Sequence, residues 1–186
     1  AANVPHYIGI DVNVDLLPNY ASMATFLDFA QGRYDQSTKT TTQMFFQDAR
    51  TIDYGNLFYD MVLTSPPYFN LEKYAHNENY DSFVSKSAMI SEFYMPLFRS
   101  TFNGMQLGGH YCLNVSVEMY KELCVPLFGE ATEKVLMGKS RRQNNYTEFI
   151  YIWHKSANIS NTNNYMQMHA KKSPDEGLEP SATRLK

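Results

Sequence analysis

Cysteine is scarce in this 186-residue chain: Cys112 and Cys124 are the only two. They show neither the spacing of a metal site nor the number a disulfide framework needs, which suits a reducing compartment. Long apolar runs are also missing, and the start of the chain lacks the charged-then-apolar pattern of a secretory leader. These absences predict a soluble, cytoplasmic protein. Nine glycines are present, yet no Gly-x-Gly occurs among them, so the glycine-rich turn that cradles phosphates or a cofactor tail after a first strand has no counterpart. An excess of positive charge is lacking too: the net charge is −3, which argues against a general nucleic-acid binder.

What is present is aromatic and apolar. Aromatics make up 15% of the chain and apolar residues 44%, enough for one folded domain of ordinary size. Charge is divided unevenly. Residues 1–133 hold 7 Lys/Arg against 15 Asp/Glu, and residues 134–186 hold 9 against 4. The basic C-terminal third can face phosphates or be a solvated polar tail. From Ser156 onward the chain is rich in Asn and Ser and reads as a tail. The expected layout is a folded core over 1–155 and a polar tail over 156–186.

The most informative stretch is Asp60-Met-Val-Leu-Thr-Ser-Pro-Pro-Tyr-Phe-Asn70. The apolar run 61–63 predicts a buried strand, and Pro66-Pro67 must end it because proline cannot donate to a ladder. In open α/β sheets the carboxyl end of a strand is where ligands bind. Ser65 offers a hydroxyl there, Pro66 a carbonyl and Tyr68 an aromatic face. Two acceptors and a ring on a stiff turn can hold a flat base by its exocyclic amine and stack on it. A surface turn or polyproline ligand is the competing reading, but a Pro-Pro-x-Tyr ligand needs tyrosine where Phe69 stands.

Ser65-Pro66-Pro67-Tyr68 resembles the signature of the amino-methyltransferases, (Asp/Asn/Ser)-Pro-Pro-(Tyr/Phe/Trp). These enzymes move a methyl group from S-adenosylmethionine (SAM) to an exocyclic nitrogen. The resemblance implies a SAM cofactor, a DNA partner and a catalytic role for Ser65, Pro66, Pro67 and Tyr68. It further implies that Asp11, in a Gly-Ile-Asp-x-Asn stretch, takes the cofactor ribose. Asp48 and Ala49 would take its adenine, since they fall just after the next strand.

Along the chain, residues 6–11 predict a strand and 15–30 a helix with Leu16, Tyr20, Met23, Phe26 and Leu27 on its apolar stripe. Asp15 is the expected N-cap. Residues 42–46 predict the next strand. A loop over 71–81 holds Tyr74, His76 and Tyr80; His76 is a weak candidate for a general base. A helix over 82–105 is expected to be capped at Ser82 and kinked at Pro96. Leu107-Gly108-Gly109 makes a helix stop. Then come a strand over 110–115, a helix over 117–128, and strands over 134–137 and 147–154, the last antiparallel. Lys139, Arg141 and Arg142 lie in the most nucleic-acid-like loop, 139–146.

Together these predict an α/β, Rossmann-like, three-layer αβα sandwich with a mostly parallel sheet and an antiparallel last strand. The family's first strand, glycine-rich loop and first helix have no counterpart, so a second polypeptide or an upstream segment is expected to supply them. The expected activity is methylation of adenine N6 or cytosine N4 in DNA. The alternatives are RNA or protein-glutamine methylation, and a non-catalytic nucleic-acid-binding or structural subunit keeping the fold.

Overall fold

A computed structural model of the chain describes residues 4–30, 40–68, 83–137 and 148–156. Within them the strands form two sheets. β1 (His6–Ile10) and β2 (Thr41–Phe45) pair in parallel, with His6 opposite Thr41 and Ile10 opposite Phe45. A 3-10 turn, Val14–Leu16, and α1 (Leu17–Ala30) follow β1. The second sheet has the order β3-β4-β6-β5. β3 (Met61–Thr64) runs parallel to β4 (His110–Asn114), while β6 (Phe149–His154) is antiparallel to both β4 and β5 (Glu133–Leu136). Among the described residues, β1 and β3 each have a ladder partner on one edge alone. The fold is α/β and Rossmann-like, with parallel strands, helical crossovers and an antiparallel end.

Two helical crossovers share one device. α2 (Lys86–Met89) passes through a π segment, Ile90–Tyr94, into α3 (Met95–Gly104). α4 (Val117–Met119) passes through Tyr120–Cys124 into α5 (Val125–Phe128). In each, a proline (Pro96 or Pro126) stands two residues after the π segment. Proline lacks an N–H and its ring crowds the carbonyl four residues back. Widening the preceding turn is one of the ways a helix accommodates that, and a π segment stands just before each proline.

The core lies between these helices and one face of the second sheet. Phe93, Tyr94, Phe98, Phe102, Tyr111, Leu113, Leu123 and Trp153 are each at most 1% exposed. Tyr120 and Tyr151 stack at 3.9 Å, and Trp153 Nε1 donates to the Gly129 carbonyl at 2.9 Å. Two glycines set the start of β4. Gly108 has φ +81°, a conformation other residues adopt at a cost. A Cβ on Gly109 would lie 2.5 Å from the Asp60 carbonyl oxygen, so glycine lets β4 approach β3 closely.

Three local expectations are corrected. The cap at the start of the first helical segment is Asn13, whose side chain accepts from the Asp15 N–H at 3.0 Å; Asp15 is not the cap. On α1, Leu16 and Tyr20 are half-buried, but Met23 and Phe26 are 45% and 66% exposed. The inward line thus follows four-residue steps and leaves part of the expected stripe open. The helix before β4 is capped by Ser85, which accepts from the Ala88 N–H at 3.0 Å. Ser82, His76 and the 71–81 loop lie outside the described residues, as do Lys139, Arg141 and Arg142. No helix among the described residues is long and apolar enough to cross a membrane.

Candidate active site

The sequence candidates that are described lie at the carboxyl ends of parallel strands. Asp11 follows β1, Asp48 and Ala49 follow β2, and Ser65-Pro66-Pro67-Tyr68 follows β3. Two of these strands end at that point for a local reason. β3 stops where proline removes the ladder donors. β2 stops where the Asp48 side chain accepts from the Arg50 N–H at 2.8 Å and starts a 3-10 turn, Ala49–Thr51.

Asp11 is held from two directions. One carboxylate oxygen accepts from the Asn13 N–H at 2.9 Å and the other from the Tyr20 hydroxyl at 2.8 Å. That bond pushes the Tyr20 hydroxyl up to about 12, because losing its proton beside a carboxylate is unfavourable. A carboxylate has about four acceptor positions, so Asp11 keeps capacity for further donors such as ribose hydroxyls.

Asp48 is tied to Arg50. The Arg50 Nε lies 3.0 Å from both carboxylate oxygens, and this guanidinium holds the Asp48 carboxyl below its ordinary value. Arg50 Nη1 also donates to the Glu92 carbonyl at 3.4 Å. Glu92 is four residues before Pro96, so its carbonyl is the one that proline cannot serve within the helix. The guanidinium carbon sits 5.7 Å from the Phe93 ring centroid. Arg50 therefore fastens the end of the two-stranded sheet to the helix behind the second one. The Ala49 carbonyl accepts from the Tyr54 hydroxyl at 2.8 Å.

In the Pro-Pro turn, Ser65 is exposed, Pro66 buried, and Pro67 and Tyr68 half-buried. The buried Tyr94 hydroxyl donates to the Pro67 carbonyl. Ser65 Oγ donates to Asn114 Oδ1 at 3.2 Å, and Asn114 Nδ2 donates to the Phe149 carbonyl at 3.1 Å. The turn is thus held by side chains from the helical layer and from β4. Sequence reading missed Tyr20, Arg50, Tyr94 and Asn114. For Asn114 a signal existed: like Ser65, it is a polar residue ending an apolar strand. Among the described residues, no group of three or more His, Cys, Asp or Glu is placed to hold a metal ion.

No family model matches the chain, and no curated protein matches it either. Solved structures similar in shape include two streptococcal proteins. An rRNA methylase from Streptococcus thermophilus matches with 9% identity and a TM-score of 0.40, over 82% of this chain and 89% of that one. A Streptococcus mutans protein named as a methyltransferase, solved in complex with SAH, matches with 11% identity and a TM-score of 0.36, over 78% and 86%. Likenesses at this level carry no weight, and the fold assignment rests on strand order and direction.

Proposed function

We propose that the chain is a SAM-dependent methyltransferase acting on the exocyclic amine of a base in DNA, adenine N6 or cytosine N4. The observation that carries this reading is the Ser65-Pro66-Pro67-Tyr68 turn, rigid and braced at the carboxyl end of β3. The lone pair of such an amine is delocalised into the ring, so the nitrogen is a poor nucleophile. Hydrogen bonds from its two N–H groups to Ser65 Oγ and the Pro66 carbonyl favour a pyramidal nitrogen and stabilise the charge developing on it. Tyr68 stacks on the base and fixes its plane. Holding the amine in line supplies much of the remaining rate.

SAM supplies the methyl group when bound. Asp11, with its spare acceptor capacity, would hold the ribose hydroxyls; Asp48 and Ala49 would receive the adenine. Lys139, Arg141 and Arg142 would neutralise DNA phosphates. Replacing both arginines with alanine should then lower the salt slope of DNA binding by about one for each phosphate left without its cation.

We further propose that a strand and a helix, from a second polypeptide or a segment upstream of β1, complete the sheet and bring the glycine-rich turn for the methionine end of SAM. Two observations support it. Among the described residues β1 and β3 are open on one edge each, and unpaired ladders need partners. The sheet face opposite the core also leaves Met61 and Leu63 56% and 63% exposed. A right-handed strand-helix-β1 crossover, continuing in the direction of β1 to β2, would place its helix over that face. Calorimetric titration of the 186-residue chain with SAM tests this: weak binding is expected, and tight stoichiometric binding contradicts it.

The activity is tested by mass spectrometry of nucleosides after incubating DNA, and separately RNA, with protein and SAM. Methylated adenine or cytosine in DNA is expected. Methylation confined to RNA would move the substrate, and none in either would return the chain to a non-catalytic role.

A further inference from the structure

We infer that Asn114 is a positioning residue that fixes the Ser65 hydroxyl as an acceptor, and so selects amino over oxo bases; this rests on the amine-methylation reading above. The register of β3 and β4 ends at Thr64 opposite Leu113, so Ser65 and Asn114 meet one step further on. The direction of the Asn114 amide is decided by its second neighbour. A backbone carbonyl can accept and not donate, so the nitrogen Nδ2 is the atom that faces Phe149, at 3.1 Å. Oδ1 is then turned to Ser65 and receives its hydroxyl proton at 3.2 Å.

A serine hydroxyl has one proton and two lone pairs. With the proton given to Asn114, the remaining capacity of Ser65 Oγ is to accept. An amine N–H meets that requirement. An oxo group at the same place on the ring offers another acceptor, and two acceptors in contact repel and stay unpaired. The pair Ser65–Asn114 thereby reads the chemical class of the target group, which a serine free to rotate does not. Asparagine serves both neighbours of this position at once. Aspartate would accept from Ser65 yet set a carboxylate against the Phe149 carbonyl, and leucine would serve neither.

The test is a double-substitution cycle on DNA methylation, using the wild type, Ser65→Ala, Asn114→Ala and the double variant. Asn114→Ala should lower kcat by about tenfold or more, the scale of a hydrogen bond to a charged group, and leave KM for SAM unchanged. In the Ser65→Ala background it should change nothing further, because there is no hydroxyl left to orient. A folding defect would persist in that background, which separates the two explanations. In competition, the preference of Asn114→Ala for adenine- over hypoxanthine-containing oligonucleotides, or cytosine- over uracil-containing ones, should shrink. Additive effects of the two substitutions with an unchanged base preference overturn the inference and leave the methylation reading standing. A wild type that transfers no methyl group overturns both.

Discussion

On one face of the four-stranded sheet, Tyr111 and Leu113 are fully buried; on the other, Leu63, beside Cys112 in the next strand, is 63% exposed. Alternate residues of the same strands meet these two fates because side chains point to opposite faces in turn. The helical crossovers from β3 to β4 and from β4 to β5 both pack on the Tyr111 face, where they share one aromatic core with Tyr151 and Trp153. On the other face Cys112 is buried at 4% exposure, while Met61 and Leu63 at the β3 edge stand open. Strands of a mostly parallel sheet are ordinarily buried on both faces, and the open face is where the helix proposed above would pack. It lies next to the open edge of β3, the strand that carries the Pro-Pro turn.

The comparison is broken most severely by substituting the covered face. Trp153→Ala removes a fully buried ring and the donor to Gly129, and should cost about 3–5 kcal/mol in denaturant unfolding. Leu63→Ala, on the open face, should stay within about 1 kcal/mol, since little packed surface is removed there. Equal losses at both sites would show that the two faces are equivalently buried.

Arg50→Ala comes next, because it acts at the junction between the sheets. It removes the bond to the exposed Glu92 carbonyl and leaves Asp48 without its cation, at a cost of about 1 kcal/mol. The pH dependence has a definite sign. The Asp48 carboxyl is held below its ordinary 3.8 by Arg50. Its contribution is therefore full above that value and is lost as pH falls toward the folded-state value. Arg50→Ala should flatten this part of the acid limb of a stability profile. An unchanged acid limb would mean that the ion pair contributes nothing.

The smallest effect sharpens the contrast without destabilising anything. Cys124 sits in the core, where burial pushes its thiol up to about 12. Cys112 is on the opposite face, also buried but next to the exposed Leu63, and its thiol is raised chiefly by burial. A thiol reagent should label Cys112 first, with Cys124 reacting on unfolding. Labelling of Cys124 ahead of Cys112 would reverse the assignment of faces.

The strands and the turn were legible in the sequence because their signals are local. Residues 61–63 form an apolar run stopped by two prolines, and 147–154 alternates strongly enough to mark the antiparallel β6. What escaped depends on register and on partners far along the chain. Asn114 meets Ser65 across 49 positions, and Arg50 finds the Glu92 carbonyl across 42. Neither pairing is encoded in a neighbouring residue. The cap before α1 was misread for a subtler reason. Asn13 and Asp15 are both good caps, and the extended backbone of Asn13, φ −85° and ψ 96°, decides between them. Met23 and Phe26 follow helical spacing correctly, yet spacing gives a stripe without saying whether anything covers it.

The central claim is that the Pro-Pro turn transfers a methyl group to a base amine. It is tested most directly by measuring methylated nucleosides in DNA for the wild type and for Ser65→Ala, together with SAM affinity in each. The account predicts a rate lowered by about a hundredfold with SAM affinity nearly unchanged, since the Ser65 bond strengthens as charge develops on the nitrogen. An active wild type and a Ser65→Ala variant methylating at the same rate would contradict it.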